Sequence, residues 1–281
     1  MKPAQILERM EVDSESLFYH EHAARYEFAR LHIQPGLVLD LATGLGDGAQ
    51  QLCWNPALQV IGADIYLQGL SKARKEYTDR RINFVGANGL CLPFKEGCFH
   101  SVVTLETIEH VLDDAVFMRE ICRVLRPDGV CILSTPHRHK LVQRAPTSHY
   151  VREYSENSLR MLLQNYFAKV TFFYQGFSDN FYAQMRHYAT AIQTKKGQLN
   201  PALRFAIDHL YRPLKWLVPL RVSNYFIRHW FNLSNPQPKL MDITISSEPL
   251  QVVNVFIAVC QQPHEWRDPA LNIRPAPART K

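Results

Sequence analysis

Apolar residues fall into seven short runs, Val38–Leu41, Val60–Ala63, Ile82–Val85, Phe99–Leu105, Val130–Pro136, Lys169–Tyr174 and Leu250–Cys260, and each reads as a strand. Several of the stretches between them repeat apolar residues at helical spacing instead. Leu67, Leu70 and Ala73 share one face of a helix over Leu67–Tyr77, and Phe117, Ile121, Val124 and Leu125 share one over Asp113–Leu125. Arg126, Pro127, Asp128 and Gly129 stop the second of these helices. A further helix is predicted from an N-cap at Ser155 through Tyr166. Ser16–Arg30 reads as a helix whose Tyr19, His22, Arg25 and Tyr26 lie on one face. Strands alternating with helices predict an α/β domain.

The first run carries an acid, Asp40, and passes through Ala42 and Thr43 into Gly44, Gly46 and Gly48 before the helical Ala49–Leu52. Strand, glycine turn and helix in that order form a nucleotide-sized seat. Glycine accepts φ > 0 there and lets a ligand approach closer than any Cβ permits. The second run ends at Asp64, where the carboxyl edge of such a sheet offers an acid to a ribose diol. Gly44, Gly46, Ala49 and Asp64 can also be fitted to a dinucleotide spacing, but that pattern has no use for an acid four residues ahead of the first glycine.

From Asp40 to Gly46 the chain resembles the first motif of class I S-adenosylmethionine-dependent methyltransferases, with Asp64 as their second. A helix, Arg126-Pro127-Asp128-Gly129, a strand and Ser134-Thr135-Pro136 in succession match the same family closely. The segment from His20 to Ala29 looks like the lead-in of a bacterial branch associated with saccharide pathways, and a helix packed on the sheet edge is the alternative for it. The resemblance covers roughly residues 16 to 175. It implies a Rossmann-like, seven-stranded, mostly parallel sheet with an antiparallel last strand and helices on both faces, while the long stretch before that strand, where a short hairpin would normally suffice, reads as a helical insert. It also implies S-adenosylmethionine as cofactor, held by Arg25 at the methionine carboxylate, by Asp40, Ala42, Gly44 and Gly46 in the turn, by Asp64 at the ribose, and by Asn88, Gly89 and Leu105. The chain departs from the family at three places. Ala42 stands where the turn often has its first glycine, which asks for an ordinary backbone conformation there. Asn88 replaces the acid that meets the adenine amino group, and its amide oxygen still accepts a hydrogen bond. His100 replaces an acid near the start of the fourth strand, away from the cofactor edge.

With 281 residues and 46% apolar content the chain can bury a full core, and it divides into five parts. These are an N-terminal lid helix (1–35), the cofactor-binding core (36–175), a helical substrate cap (176–249), the last core strand (250–262) and a disordered basic tail (263–281). The charged start and the absence of any apolar run near the ~18 residues a span requires predict a cytoplasmic protein. Six scattered cysteines without a C-x-x-C pair read as reduced, with Cys53, Cys122 and Cys131 on core elements. A net charge of +6 permits an anionic partner without demanding nucleic acid.

Methyl transfer from a sulfonium is an in-line displacement, so the protein positions two reactants and manages a proton. Candidates belong above the carboxyl ends of strands four and five. Glu106, Glu109 and His110 follow strand four, and a helical turn would put all three on one side; His149 follows strand five. Two readings stay open: Mg2+ or Mn2+ held by Glu106, Glu109, His110 and His149, or His110 or His149 as general base. Between Leu203 and Phe231 aromatic residues such as Trp216, Tyr225 and Trp230 interleave with Arg204, Arg212, Lys215, Arg221 and Arg228. That pattern suits peripheral contact with a membrane or a lipid-linked acceptor, and equally a cap that packs its aromatics as core. The leading function is O-methylation of a small-molecule, saccharide or lipid-linked acceptor. An RNA methyltransferase and a non-catalytic cofactor-binding partner are the alternatives.

Overall fold

The computed structural model describes residues 17–137, 151–198, 240–250 and 252–264. In chain order the elements are α1 (Leu17–Arg30), β1 (Gly36–Leu41), α2 (Asp47–Leu52), β2 (Leu58–Asp64), α3 (Leu67–Glu76), β3 (Ile82–Gly86), β4 (Phe99–Leu105), a 3-10 turn (Ile108–His110) and α4 (Asp114–Val124). They continue with β5 (Leu125–Pro136), α5 (Glu156–Gln164), β6 (Phe167–Phe177), α6 (Asp179–Gly197), a second 3-10 turn (Leu240–Asp242), β7 (Ile243–Ser246) and β8 (Val255–Pro263). The strands form one sheet in the order β3-β2-β1-β4-β5-β8-β6-β7. Pairs β1 with β2, β1 with β4, β2 with β3 and β4 with β5 are parallel, and β8 runs antiparallel to β5. The expected parallel sheet with an antiparallel strand late in the chain is therefore present. One more strand, β7, stands at its edge inside the stretch expected to be a helical insert, and the late strand starts at Val255 rather than Leu250.

Two compact units divide the chain. One gathers residues 25–138, 149–174 and 246–281, the other residues 1–24, 139–148 and 175–245. The core of the first unit includes Leu39 of β1, Val102 of β4, Phe117 and Ile121 of α4, Leu133 of β5 and Ala258 of β8, all essentially without solvent exposure. Cys53, Cys122 and Cys131 are buried there as expected, and Cys131 faces Cys260 across β5 and β8. Among the described residues no helix is long and apolar enough to cross a membrane.

Local chemistry explains the boundaries. Asp113 caps α4 by accepting from the Val116 N–H at 2.9 Å, and Ser155 caps α5 in a reciprocal box with Ser158. Leu125 pairs with Phe99 while Val130 pairs with Ser101, so Arg126–Gly129 bulge out between them. Behind α4, Arg123 donates to the carbonyls of Leu92 and Phe94 and pairs with Glu120, whose carboxylate accepts from the Leu92 N–H. This clamp fixes the chain between β3 and β4.

His100 is structural, as its place at the strand start implies. Its Nδ1 accepts from the Leu37 N–H at 3.1 Å, and its ring occupies the space in front of Gly36, where a Cβ would come within 2.6 Å. The imidazole thus supplies the acceptor an acid would supply. Chemical unfolding of His100→Ala should show a loss of about 1–2 kcal/mol through the unpaired N–H and the vacated space, and His100→Asn, which restores an acceptor, should lose less.

Candidate active site

The order of strands brings two ends of the sheet together. From β1 the chain crosses to β2 and β3 on one side and to β4 and β5 on the other, and such a reversal opens a crevice at the carboxyl ends of β1 and β4. Asp40, Asp64, Leu105 and Glu106 all lie at that edge.

Asp40 has no solvent exposure. One carboxylate oxygen accepts from the Tyr26 hydroxyl of α1 at 3.1 Å and the other from the Thr43 hydroxyl. Burial outweighs the bonds from Thr43 and Tyr26, which favour ionisation, and leaves the carboxyl at about 6, above its ordinary value of 3.8. The folded value lies above the unfolded one, so this group's contribution to stability is present at low pH and is lost as pH rises through about 6. Holding Asp40 ionised at neutral pH costs the fold on the order of 3 kcal/mol.

Beyond Asp40 the N–H groups of Ala42 and Thr43 both reach the Ala63 carbonyl, at 2.7 and 3.1 Å. Ala42 takes φ 68, which overturns the expectation of an ordinary conformation. The two bonds to Ala63 and the Asp40 contact with Thr43 bend the backbone as tightly as a glycine turn, and alanine is carried into the left-handed region with it. Gly44 follows at φ 60, and a Cβ there would meet nothing within 4 Å, so space for a ligand is open above it. Gly46, at φ 91, is needed for conformation and for packing, because a Cβ would strike Phe84 and Ala73. Asp64 accepts from the Gly44 and Tyr66 N–H groups, both at 2.8 Å, one on each oxygen. The carboxylate is thereby aimed across the glycine turn. Asn88 is exposed and its Oδ1 accepts from the Leu90 N–H at 3.0 Å. Gly89 lies against Phe117, which a Cβ would meet at 2.7 Å.

After β4 the residue Glu106 is also left-handed, at φ 49. Its N–H donates to the carbonyl and hydroxyl of Ser134 at 2.9 and 3.2 Å, and its carboxylate pairs with Arg25 at 3.2 Å. Arg25 is buried, so the cation expected at the methionine carboxylate is held at this edge by Glu106. Glu109 is buried too, and its Oε2 accepts from the Thr135 hydroxyl at 2.9 Å. Burial and then the charge of Glu106 push its carboxyl up to about 8. His110, by contrast, is exposed. The expectation that Glu106, Glu109 and His110 share a side is thus corrected. The helical turn covers only Ile108–His110, and the left-handed Glu106 lies outside it. With about three residues per turn, neighbours Glu109 and His110 face apart. Among the described residues no group of three acidic, His or Cys side chains is placed to bind a metal ion. His149, the insert 203–231 and the tail from 265 lie outside the described residues.

Three supporting residues were read in the sequence only as members of a pattern, without a role of their own: Tyr26, Ser134 and Thr135. Their traces in the sequence are Tyr26 beside Arg25 on the polar helix face and the Ser134-Thr135-Pro136 string after β5.

A parallel sheet with its glycine turn at the reversal point, an acid ending the neighbouring strand and an antiparallel late strand define the Rossmann-like methyltransferase fold. Residues 39–133 match the Methyltransferase domain family. A Mycobacterium tuberculosis protein described as a probable S-adenosylmethionine-dependent methyltransferase is 32% identical over 128 residues, which are 46% of this chain and 46% of that one. The ubiquinone/menaquinone biosynthesis C-methyltransferase of Desulfotalea psychrophila is 34% identical over 38% of this chain and 45% of its own length. The chain therefore spans about half the length of the curated relatives it matches. Phosphoethanolamine N-methyltransferase 2 of Haemonchus contortus, solved with S-adenosyl-L-methionine, shares the fold with TM-score 0.54 at 14% identity, covering 94% of this chain and 60% of that one.

The left-handed Ala42 yields a direct test. Ala42→Gly removes the Cβ penalty of that conformation, and thermal or urea unfolding should show a gain of about 1 kcal/mol. A destabilised glycine variant would mean that the strain is absent.

Proposed function

We propose that the protein is an S-adenosylmethionine-dependent methyltransferase acting on a small-molecule acceptor, with a hydroxyl oxygen as the methylated atom. The observation that carries the donor half is Asp64, fixed by two backbone N–H groups across an open glycine turn. A carboxylate at this edge is the acceptor type that a ribose diol calls for. Arg25 would hold the donor's carboxylate, and the turn from Ala42 to Gly46 its amino-acid tail. When bound, the donor supplies an electrophilic methyl on a sulfonium. Around it the chain positions the acceptor and takes its proton, and His110 is the group proposed for the proton because it is exposed beside the carboxylate-rich turn after β4. Saccharide and lipid-linked acceptors fit the aromatic and basic residues of 203–231. Carbon methylation is the second reading, favoured by the quinone C-methyltransferase among the relatives.

Calorimetry should detect binding of S-adenosylmethionine and of its demethylated product, with little binding of NAD. Asp64→Ala should weaken the donor by about 1.5–3 kcal/mol, the range for hydrogen bonds to a charged group. Tight NAD binding without donor binding would sink this reading. Transfer of a carbon-13 methyl, followed by NMR of the product, separates oxygen from carbon methylation.

Turnover separates base from metal. His110→Ala should slow it about 10²-fold or more with chelator having no effect. A rate abolished by chelator and restored by Mn2+ would remove the base in favour of a metal.

A further inference from the structure

Tyr26 lies beside Arg25 in the lead-in helix, and its side chain reaches the middle of the donor turn. Its buried ring covers Gly48, and a Cβ on that glycine would collide with it. Its hydroxyl donates to Asp40 Oδ1 at 3.1 Å, while the Thr43 hydroxyl donates to Oδ2. Thr43 in turn sets the path of the glycine turn, because its carbonyl accepts from the Gly46 N–H at 3.0 Å and its own N–H reaches Ala63. A line of contacts therefore runs from α1 through a carboxylate with no solvent exposure into the backbone that would cradle the donor.

We propose that Tyr26 is a positioning residue for the methyl donor: its hydroxyl holds the Asp40 carboxylate in the orientation that pins Thr43, and donor affinity falls when Asp40 takes up a proton. The inference rests on the S-adenosylmethionine reading of this turn. An ionised carboxylate accepts from both hydroxyls at once. A protonated one has an oxygen that must donate, so one hydroxyl has to rotate or lose its acceptor, and the left-handed Ala42 is held less firmly. The groups facing Asp40 are Tyr26 from α1, Thr43 in the turn, Asp47 from α2 and Asp64 from β2, with Arg25 acting on Tyr26. The two acids oppose ionisation and the two hydroxyls favour it. Burial outweighs these and puts the carboxyl at about 6, where modest acidification protonates it. The donor's sulfonium and ammonium are cations and favour the ionised form.

Calorimetric titration of S-adenosylmethionine from about pH 8 to about pH 5 tests this on the wild type, Tyr26→Phe and Asp40→Asn, with circular dichroism at each pH to confirm folding. Wild-type affinity should be level above about pH 7 and fall about tenfold from there to about pH 5, one proton being taken up. Asp40→Asn should lose that dependence. Tyr26→Phe keeps the ring over Gly48 but removes one of the bonds that favour ionisation, so the fall should move to higher pH. If Asp40→Asn does not fold, the wild-type and Tyr26→Phe profiles decide the matter alone. A flat wild-type profile, or one that Tyr26→Phe leaves in place, overturns the inference. Absence of donor binding at every pH overturns the donor reading and this inference with it, whereas binding with a flat profile overturns the inference alone.

Discussion

Asp40 ends β1 with no solvent exposure, and an ionised carboxylate in that position has to be satisfied by the protein itself. Thr43 does so from the turn and Tyr26 from α1. Each donor brings a structural consequence. Reaching back to Asp40 and to Ala63 bends the chain so tightly that Ala42 becomes left-handed, and admitting the Tyr26 ring leaves no room for a side chain at residue 48. The glycines of this stretch therefore divide the work. Gly44 leaves space for a ligand, Gly46 serves the helix start and the packing of Phe84, and Gly48 makes room for Tyr26.

The second half of the site is held from β5. Ser134 takes the Glu106 N–H, and the Thr135 hydroxyl binds the Glu109 carboxylate, so the end of one strand shapes the turn that follows its neighbour. The Glu109 carbonyl accepts from the N–H groups of Val151 and Arg152 at 2.9 and 3.2 Å, which ties the returning chain to the same turn. From there Arg152 and Tyr154 both reach Asp114 at the start of α4. Three segments far apart in sequence thus meet on one short turn. A change at Ser134 or Thr135 would act through the geometry of Glu106 and Glu109 rather than through direct contact with a ligand.

Strained or ionisable groups are concentrated at this edge. Ala42 and Glu106 both hold left-handed backbones without being glycine, and Asp40 and Glu109 are acids kept out of water. Each opposes folding locally. The sheet beneath them, with Leu39, Val102 and Leu133 fully buried, supplies the rigidity that keeps such a constellation in place.

The strands, the helix cap at Ser155 and the seat between Asp40 and Asp64 were legible because they depend on local rules: apolar runs, capping oxygens and glycine at a tight turn. The extra strand Ile243–Ser246 was not legible, since four residues of no special pattern become a strand only when an edge is there to receive them. Ala42 illustrates the same limit, because the hydrogen bonds that bend the chain there include two to Ala63 on the neighbouring strand, which its own sequence neighbours do not announce. Spacing alone grouped Glu106, Glu109 and His110, yet the backbone break at Glu106 buried one and exposed another. By itself the sequence determined which residue types reach the carboxyl edge of the sheet. Only tertiary structure decided which carboxylate is shielded, which hydroxyl serves it and which side chain is left facing water, because these follow from contacts between segments that the order of residues does not measure.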